Sequence, residues 1–260
     1  MTSASAPIVD LRNVVKSFAG KAQRDVTVIE NVNLNISAGK FATVVGPSGC
    51  GKSTLLMMIG GLVKPTSGEV RVAGDIIARP RPDRIGMVFQ DATLLPWKTA
   101  LGNVEFPLQL SGVNENSRHQ RARELLDLVG LKSFMDHFPH ELSGGMRQRV
   151  GIARGLACDP AILLMDEPFS ALDEQNRTKM GQELLRIWEA TRKTVLFITH
   201  SLTEAVYLSD VIFVMRSSPG RIVETIEVDF PRPRLIDVID TPEFGRIRNH
   251  IWHLVAGPVT

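Results

Sequence analysis

The sequence predicts an α/β fold: a mainly parallel sheet covered by helices, with an antiparallel β flank and a helical insert subdomain. Three observations lead there. Five short apolar runs are continuous, "FATVV" (41–45), "RIGMVF" (84–89), "AILLM" (161–165), "TVLFIT" (194–199) and "VIFVM" (211–215). Strands buried on both faces of a parallel sheet read this way. Two other runs, "VNLNI" (32–36) and "RIVETIEV" (221–228), alternate apolar with polar as half-exposed antiparallel strands do, and suggest a flank near the N-terminal part. Between Phe89 and Ala161 no buried strand stands out, and the apolar residues fall at helical spacing instead.

Taken in order, strand 41–45 runs through a glycine-rich turn into the helical pattern "KSTLLMMIGGL", and strand 84–89 closes the first part of the core, about 1–90. The insert, about 91–159, holds the helical stretches "RHQRARELLDLVGL" (118–131) and "GMRQRVGIARGLA" (145–157), the latter closed by Pro160. Strands 161–165, 194–199 and 211–215 resume the core over about 160–230, so one domain covers 1–230. Residues 231–260 begin as a proline-rich linker and end in an amphipathic helix expected from Pro242 to Val255. No internal repeat or low-complexity tract interrupts this plan.

Bulk composition narrows the function. The 260 residues are 43% hydrophobic and 22% charged, as in ordinary globular proteins, and can bury a sizeable core. A net charge of +2 gives no basic field for nucleic acid. Cys50 and Cys158 lie far apart without metal-ligand spacing, and read as reduced thiols rather than a disulfide framework. No run reaches the ~18 apolar residues of a membrane span, and "MTSASAPIVD" lacks the layout of a secretory signal. The expectation is a cytosolic chain that relies on another chain to cross any membrane it serves.

"GPSGCGKST" (46–54) matches G-x-x-x-x-G-K-[ST] between a predicted strand and a predicted helix, where a phosphate loop belongs. The loop is Gly46, Pro47, Ser48, Gly49, Cys50, Gly51, Lys52, Ser53 and Thr54. Its glycines let backbone N–H groups turn inward around phosphates, and the following helix adds its own unpaired donors. Lys52 is placed to reach the β- and γ-phosphates, and Ser53 to ligate Mg²⁺. The fold is therefore expected to be a P-loop NTPase core that binds a nucleoside triphosphate with Mg²⁺.

"AILLMDEP" puts Asp166 and Glu167 at the C-terminal end of a buried strand, the edge where open α/β sheets bind ligands. Asp166 suits metal binding, largely through water, and leaves Glu167 as general base on an attacking water. "RIGMVFQ" ends at Gln90 and "TVLFITH" at His200. Either alone is as well read as an ordinary strand-capping residue. Leaving the same sheet edge as Asp166, they are expected to meet at the γ-phosphate, Gln90 at metal and water, His200 either donating a hydrogen bond to the γ-phosphate or positioning the water.

A second anion cradle follows in "HELSGGMRQRVGIARG" (140–155). Ser143 can cap a helix, Gly144 and Gly145 allow close backbone approach, and the helix dipole faces outward. The order "GPSGCGKST", "VFQ", "LSGGMRQ", "LLMDEP", "SALD", "TH" resembles the ATP-binding cassette family, the motor subunits of ABC transporters, over about residues 8–228. "LSGGMRQ" resembles that family's signature, with Met146 where glutamine is usual. The resemblance implies a head-to-tail dimer in which ATP on Lys52 of one chain is closed over by Ser143, Gly144 and Gly145 of the other, giving two shared sites. It further implies that Asp173 of "SALD" communicates across the interface, and that Phe18 of "VVKSFAG" stacks on adenine where tyrosine is commoner. Hydrolysis would then release the two halves.

Cassettes also act outside transport, and a P-loop GTPase-type switch is the alternative from another class. The guanine-reading [NT]-K-x-D is absent, however, and a switch leaves "LSGGMRQ" unexplained. Cassettes of DNA repair carry a long coiled-coil insert and those of translation come two to a chain, whereas this insert is compact and the cassette single. "LLPWKTALGNV", "THSLTEAVYLSDVIFVM" and "SSPGRIVETIEVDFPRPR" resemble the importer subfamily for nitrate, sulfonates, taurine and related solutes. That resemblance implies integral membrane permease subunits, indirect association with an extracytoplasmic solute-binding protein, and a peripheral place on the cytoplasmic face of the inner membrane. Trp97, in the loop after Gln90, is expected at or beside the permease contact. The partner cassette is a second copy or a different one.

Overall fold

The computed structural model describes residues 6–19, 25–217 and 219–256 of the chain. The opening segment read for a secretory signal lies, up to Ser5, outside the described residues. The chain forms first β1 (Val9–Phe18), β2 (Val26–Ile36), β3 (Phe41–Val45), α1 (Lys52–Ile59), β4 (Ser67–Val72) and β5 (Asp75–Ile76). It continues with β6 (Ile85–Val88), α2 (Ala100–Leu110), α3 (Glu115–Leu128), α4 (Gly144–Leu156), β7 (Ile162–Asp166) and α5 (Glu174–Thr191). It ends with β8 (Thr194–Thr199), α6 (Leu202–Leu208), β9 (Val211–Arg216), β10 (Arg221–Glu227) and α7 (Pro242–Ala256). These divide into two compact units, Met1–Arg81 with Arg192–Thr260, and Pro82–Thr191.

In the first unit β3 lies between β8 and β9, parallel to both, and β10 pairs antiparallel with β9. Every side chain of β3 and β8 is buried, which is why both read as unbroken apolar runs. A separate antiparallel sheet runs in the order β2-β1-β4-β5. β10 alternates as expected, but it pairs at the edge of the parallel sheet, and it meets the flank where Gly220 bridges to Ile29 and Arg221 pairs with Glu30 of β2. Alternation tells which face is wet, not which strand is the neighbour.

In the second unit β6 and β7 are parallel, with Val88 opposite Met165. Of the helices α2, α3, α4 and α5, α4 packs on β6, and α2 and α3 pack on α4 and on each other. Each of the first three has a side-chain N-cap: Thr99 accepts from Gly102 N–H, Asn114 from Ser117 N–H and Ser143 from Met146 N–H. Gly86 and Gly155 let β6 and α4 touch; a methyl group on Gly86 would sit 2.2 Å from the Gly155 carbonyl oxygen. The fold is thus α/β, with a parallel sheet, an antiparallel flank and helices between β6 and β7.

Candidate active site

The phosphate loop leaves β3 at Gly46 and enters α1 at Lys52. Gly49 and Gly51 adopt φ of 78° and 97°, a region open to glycine, and Gly51 caps α1 without any side-chain acceptor. No acidic residue sits in the first turn of α1, so its N–H groups and positive end remain for an anion. Lys52 is only 5% exposed, and its Nζ donates to the carbonyls of Gly46 (2.9 Å) and Pro47 (3.0 Å). The loop is built around its lysine.

The loop is also wedged from behind. A methyl group on Gly46 would lie 2.3 Å from the Met215 carbonyl oxygen of β9, and one on Gly220 would lie 2.1 Å from that of Cys50. Gly220 is fixed in turn, donating to Val28 O (2.9 Å) and accepting from Glu30 N–H (3.0 Å). Cys50 and Cys158 are both unbridged thiols, the first buried beneath the loop.

His200 directly follows β8, and since Val45 pairs with Thr199 it leaves the sheet at the same end as the phosphate loop. Its ring is exposed. Thr199 accepts from Ser201 N–H (2.9 Å) and donates to Glu204 (2.5 Å), so the turn around His200 is held on both sides. Phe18, at the end of β1, is 43% exposed with Lys16 Nζ 4.7 Å from its ring centroid. It is a surface aromatic, not a core residue.

In the other unit, Gln90 and Asp166 follow the paired ends of β6 and β7, and with Gly144 and Arg147 they line one depression of about 670 Å³. Glu167 has φ 43°, unusual for a residue with a side chain. Its carbonyl accepts from both the N–H (3.1 Å) and the hydroxyl (2.9 Å) of Ser170. The serine of "SALD" therefore secures the turn that presents Glu167. Asp173 of the same motif caps α5: its carboxylate accepts from Asn176 N–H (2.9 Å) and Nδ2 (2.7 Å), which hold its pKa below the usual carboxylate value.

Ser143 accepts from Met146 N–H (3.3 Å), leaving its own hydroxyl hydrogen to donate outward. Gly144 and Gly145 follow it beside a depression of about 450 Å³ bounded by α5, and the first turn of α4 has no acidic residue. Farther along α4, two residues that sequence reasoning passed over act on the Gln90 segment. Buried Gln148 donates to Phe89 O (3.2 Å), and Arg154 donates to the carbonyls of Ala92 (2.6 Å) and Thr93 (2.9 Å). Burial pushes the Arg154 guanidinium pKa down. Their signal was faint: polar residues on an otherwise apolar helical face.

The first unit thus offers a glycine-capped helix end for an anion, with a buried lysine and the Ser53 hydroxyl; the second offers a glycine-led helix end and carboxylate oxygens of the kind hard cations take. Comparison with known proteins agrees. Residues 29–170 match the family model described as ABC transporter. The chain is 44% identical over 259 residues to a nitrate import ATP-binding protein of Synechocystis sp., covering 97% of this chain and 96% of that one. It is 46% identical to a taurine import ATP-binding protein of Rhizobium johnstonii, covering 90% and 91%. A dimeric ATP-binding cassette solved in a post-hydrolysis state with ADP and Pi superposes with a TM-score of 0.73 at 37% identity, covering 86% of this chain and all of that one. The chain belongs to the ABC transporter family. It is an ATP-binding ATPase of that family, and the GTPase alternative falls.

Proposed function

We propose that this protein is the ATP-hydrolysing motor of an importer, which closes as a head-to-tail dimer over two Mg-ATP and drives uptake of a small solute such as nitrate, a sulfonate or taurine through a membrane permease. The observation that carries the reading is that α1 is capped by Gly51 and α4 begins with Gly144 and Gly145, and neither has an acid in its first turn. Two such ends in one chain suit a pocket in which one protomer holds the triphosphate and its partner's Ser143, Gly144 and Gly145 cover the γ-phosphate.

In this reading Gly46 to Thr54 and Lys52 hold the phosphates, and Phe18 stacks on adenine. Glu167 takes the proton of the attacking water, His200 donates to the γ-phosphate, Gln90 orients the water and Asp173 links the two sites. Mg²⁺ would neutralise charge on the β- and γ-phosphates, with the Ser53 hydroxyl, the Asp166 carboxylate and the Gln90 amide oxygen as its donors. Loss of the γ-phosphate removes what joins the protomers, so hydrolysis opens them.

No described helix is long and apolar enough to cross a membrane. The motor accordingly sits peripherally on the cytoplasmic face of the inner membrane, bound to permease subunits that receive solute from an extracytoplasmic binding protein. A mostly apolar groove of about 370 Å³ lined by Phe89, Leu95, Phe106, Leu110 and Cys158 supports docking of a permease helix, and Trp97 stands near it in sequence, 71% exposed.

The test is the Glu167→Gln variant mixed with Mg-ATP. Hydrolysis should slow by roughly 10²- to 10⁴-fold, and light scattering should show an ATP-dependent dimer. Adding Ser143→Arg should abolish that dimer and spare ATP binding. Wild-type hydrolysis in the first variant would remove Glu167 as base; equal loss of ATP binding in the second would remove the two-chain pocket.

A further inference from the structure

The tail of this chain reaches back to the helix that follows His200. That helix, α6, has seven residues, and helices so short do not hold themselves in water. Its start is secured by Ser201, which accepts from Glu204 N–H (3.3 Å), and by the Thr199–Glu204 hydrogen bond. The carbonyls of its last turn have no partner within the helix. They are taken instead by two arginines of "PRPR" (231–234), more than twenty residues downstream. Arg234 Nη1 donates to Val206 O (3.3 Å) and Tyr207 O (2.9 Å), and Arg232 Nη2 donates to Leu208 O (2.7 Å).

The clamp is anchored on its other side. Arg232 also donates to Asp210 Oδ1 (2.8 Å), while Asp210 Oδ2 accepts from the N–H of Phe41 (2.8 Å), the first residue of β3. Arg234 Nη2 reaches Val228 O (3.2 Å), and Tyr207 donates its hydroxyl to Arg234 O (3.4 Å). The Arg234 side chain is 1% exposed. Burial, then the charge of Arg232, lower its pKa to about 10, so it remains a cation at neutral pH, at the helix end where a cation is favourable.

We infer that Arg232 and Arg234 are positioning residues for His200: the tail fixes the C-terminal end of α6, and α6 fixes the turn that aims His200 at the γ-phosphate. This rests on the reading of His200 given above. A tail that moved would withdraw the histidine without touching the nucleotide.

The experiment compares full-length wild type with Arg234→Met, Arg232→Gln, His200→Ala and the His200→Ala/Arg234→Met and His200→Ala/Arg232→Gln pairs. Single-turnover hydrolysis of radiolabelled ATP keeps slow variants measurable, and rates are expressed per nucleotide bound so that an unfolded fraction does not count. Each arginine variant should hydrolyse roughly 10- to 100-fold more slowly with ATP affinity within about twofold of wild type. In the His200→Ala background neither arginine change should slow hydrolysis further. If Arg234→Met does not fold, Arg232→Gln, which keeps the buried guanidinium of Arg234, carries the comparison. An unchanged rate per bound nucleotide in the arginine variants, or losses that multiply in the pairs, overturns the inference alone. Full activity in His200→Ala overturns the role of His200, and the inference with it.

Discussion

Alanine at Gly220 would put a methyl group 2.1 Å from the Cys50 carbonyl oxygen, 2.5 Å from Met215 Cε and 2.9 Å from Val28 O. The methionine tip can swing aside, but Cys50 O and Val28 O are backbone. Gly220 cannot retreat either, since its N–H and carbonyl are both bonded to β2. Relief requires the Cys50 peptide to move by about 1 Å, within the loop that wraps the phosphates. Overpacking of this kind costs about 1–3 kcal/mol. At 2–4 °C per kcal/mol for a chain of this size, the melting temperature should fall by roughly 2–12 °C. ATP affinity should fall by about tenfold or more, because in the proposed site the displaced peptide is one that faces the triphosphate. Differential scanning fluorimetry and titration with a fluorescent ATP analogue measure both. Gly74→Ala is the control: its φ is +84° but nothing lies within 4 Å of the added methyl. It should lose about 1–2 kcal/mol of stability to backbone strain and bind ATP normally. Wild-type ATP affinity in Gly220→Ala, or equal loss in Gly74→Ala, would refute the wedge.

Other substitutions probe other parts. Asn103 is fully buried; its Oδ1 accepts from Leu95 N–H (2.8 Å) and its Nδ2 donates to the carbonyls of Leu95, Lys98 and Thr99. Asn103→Ala should cost about 2–4 kcal/mol and loosen the Trp97 loop, seen as a lowered unfolding midpoint and faster proteolysis at that loop; an unshifted midpoint would contradict it. Lys52→Ala should weaken nucleotide binding in the monomer and leave the fold intact by circular dichroism. Trp97→Ala should leave the ATPase of the isolated chain unchanged but weaken co-purification with permease and uncouple hydrolysis from transport; unaffected coupling would move the contact elsewhere.

The parts of the fold most open to reading were those with one dominant constraint. β3, β8 and β9 are buried on both faces, and the phosphate loop and α4 are marked by glycines at their starts. β1 escaped because register shifts after Leu11, Val14 and Lys16, with Asn13 at φ 49°, break its alternation. β5 has two residues, too few for a period, and in β4 only Val70 and Val72 of "SGEVRV" are buried. Arg232 and Arg234 sit among prolines and look like a solvated linker; only the fold shows which carbonyls they reach. Gly220 in "SSPGR" reads as a turn glycine, because a contact with Cys50 across 170 residues leaves no local trace. The placement of Asp166, Glu167, Gln90 and His200 at strand ends was legible. Ser170, which steadies Glu167, was not, since a serine in a turn has many ordinary uses.

One consequence of α4 concerns how force travels. Its tip presents Ser143, and its flank grips the segment around Gln90, Gln148 at Phe89 and Arg154 at Ala92 and Thr93, a segment whose Thr93 and Leu95 border the apolar groove. A rod of thirteen residues cannot flex between those points without breaking its own hydrogen bonds. Pressure applied at the groove would then reach the serine tip as well, so in the proposed dimer a push from outside and the grip on a neighbour's nucleotide would be mechanically one event.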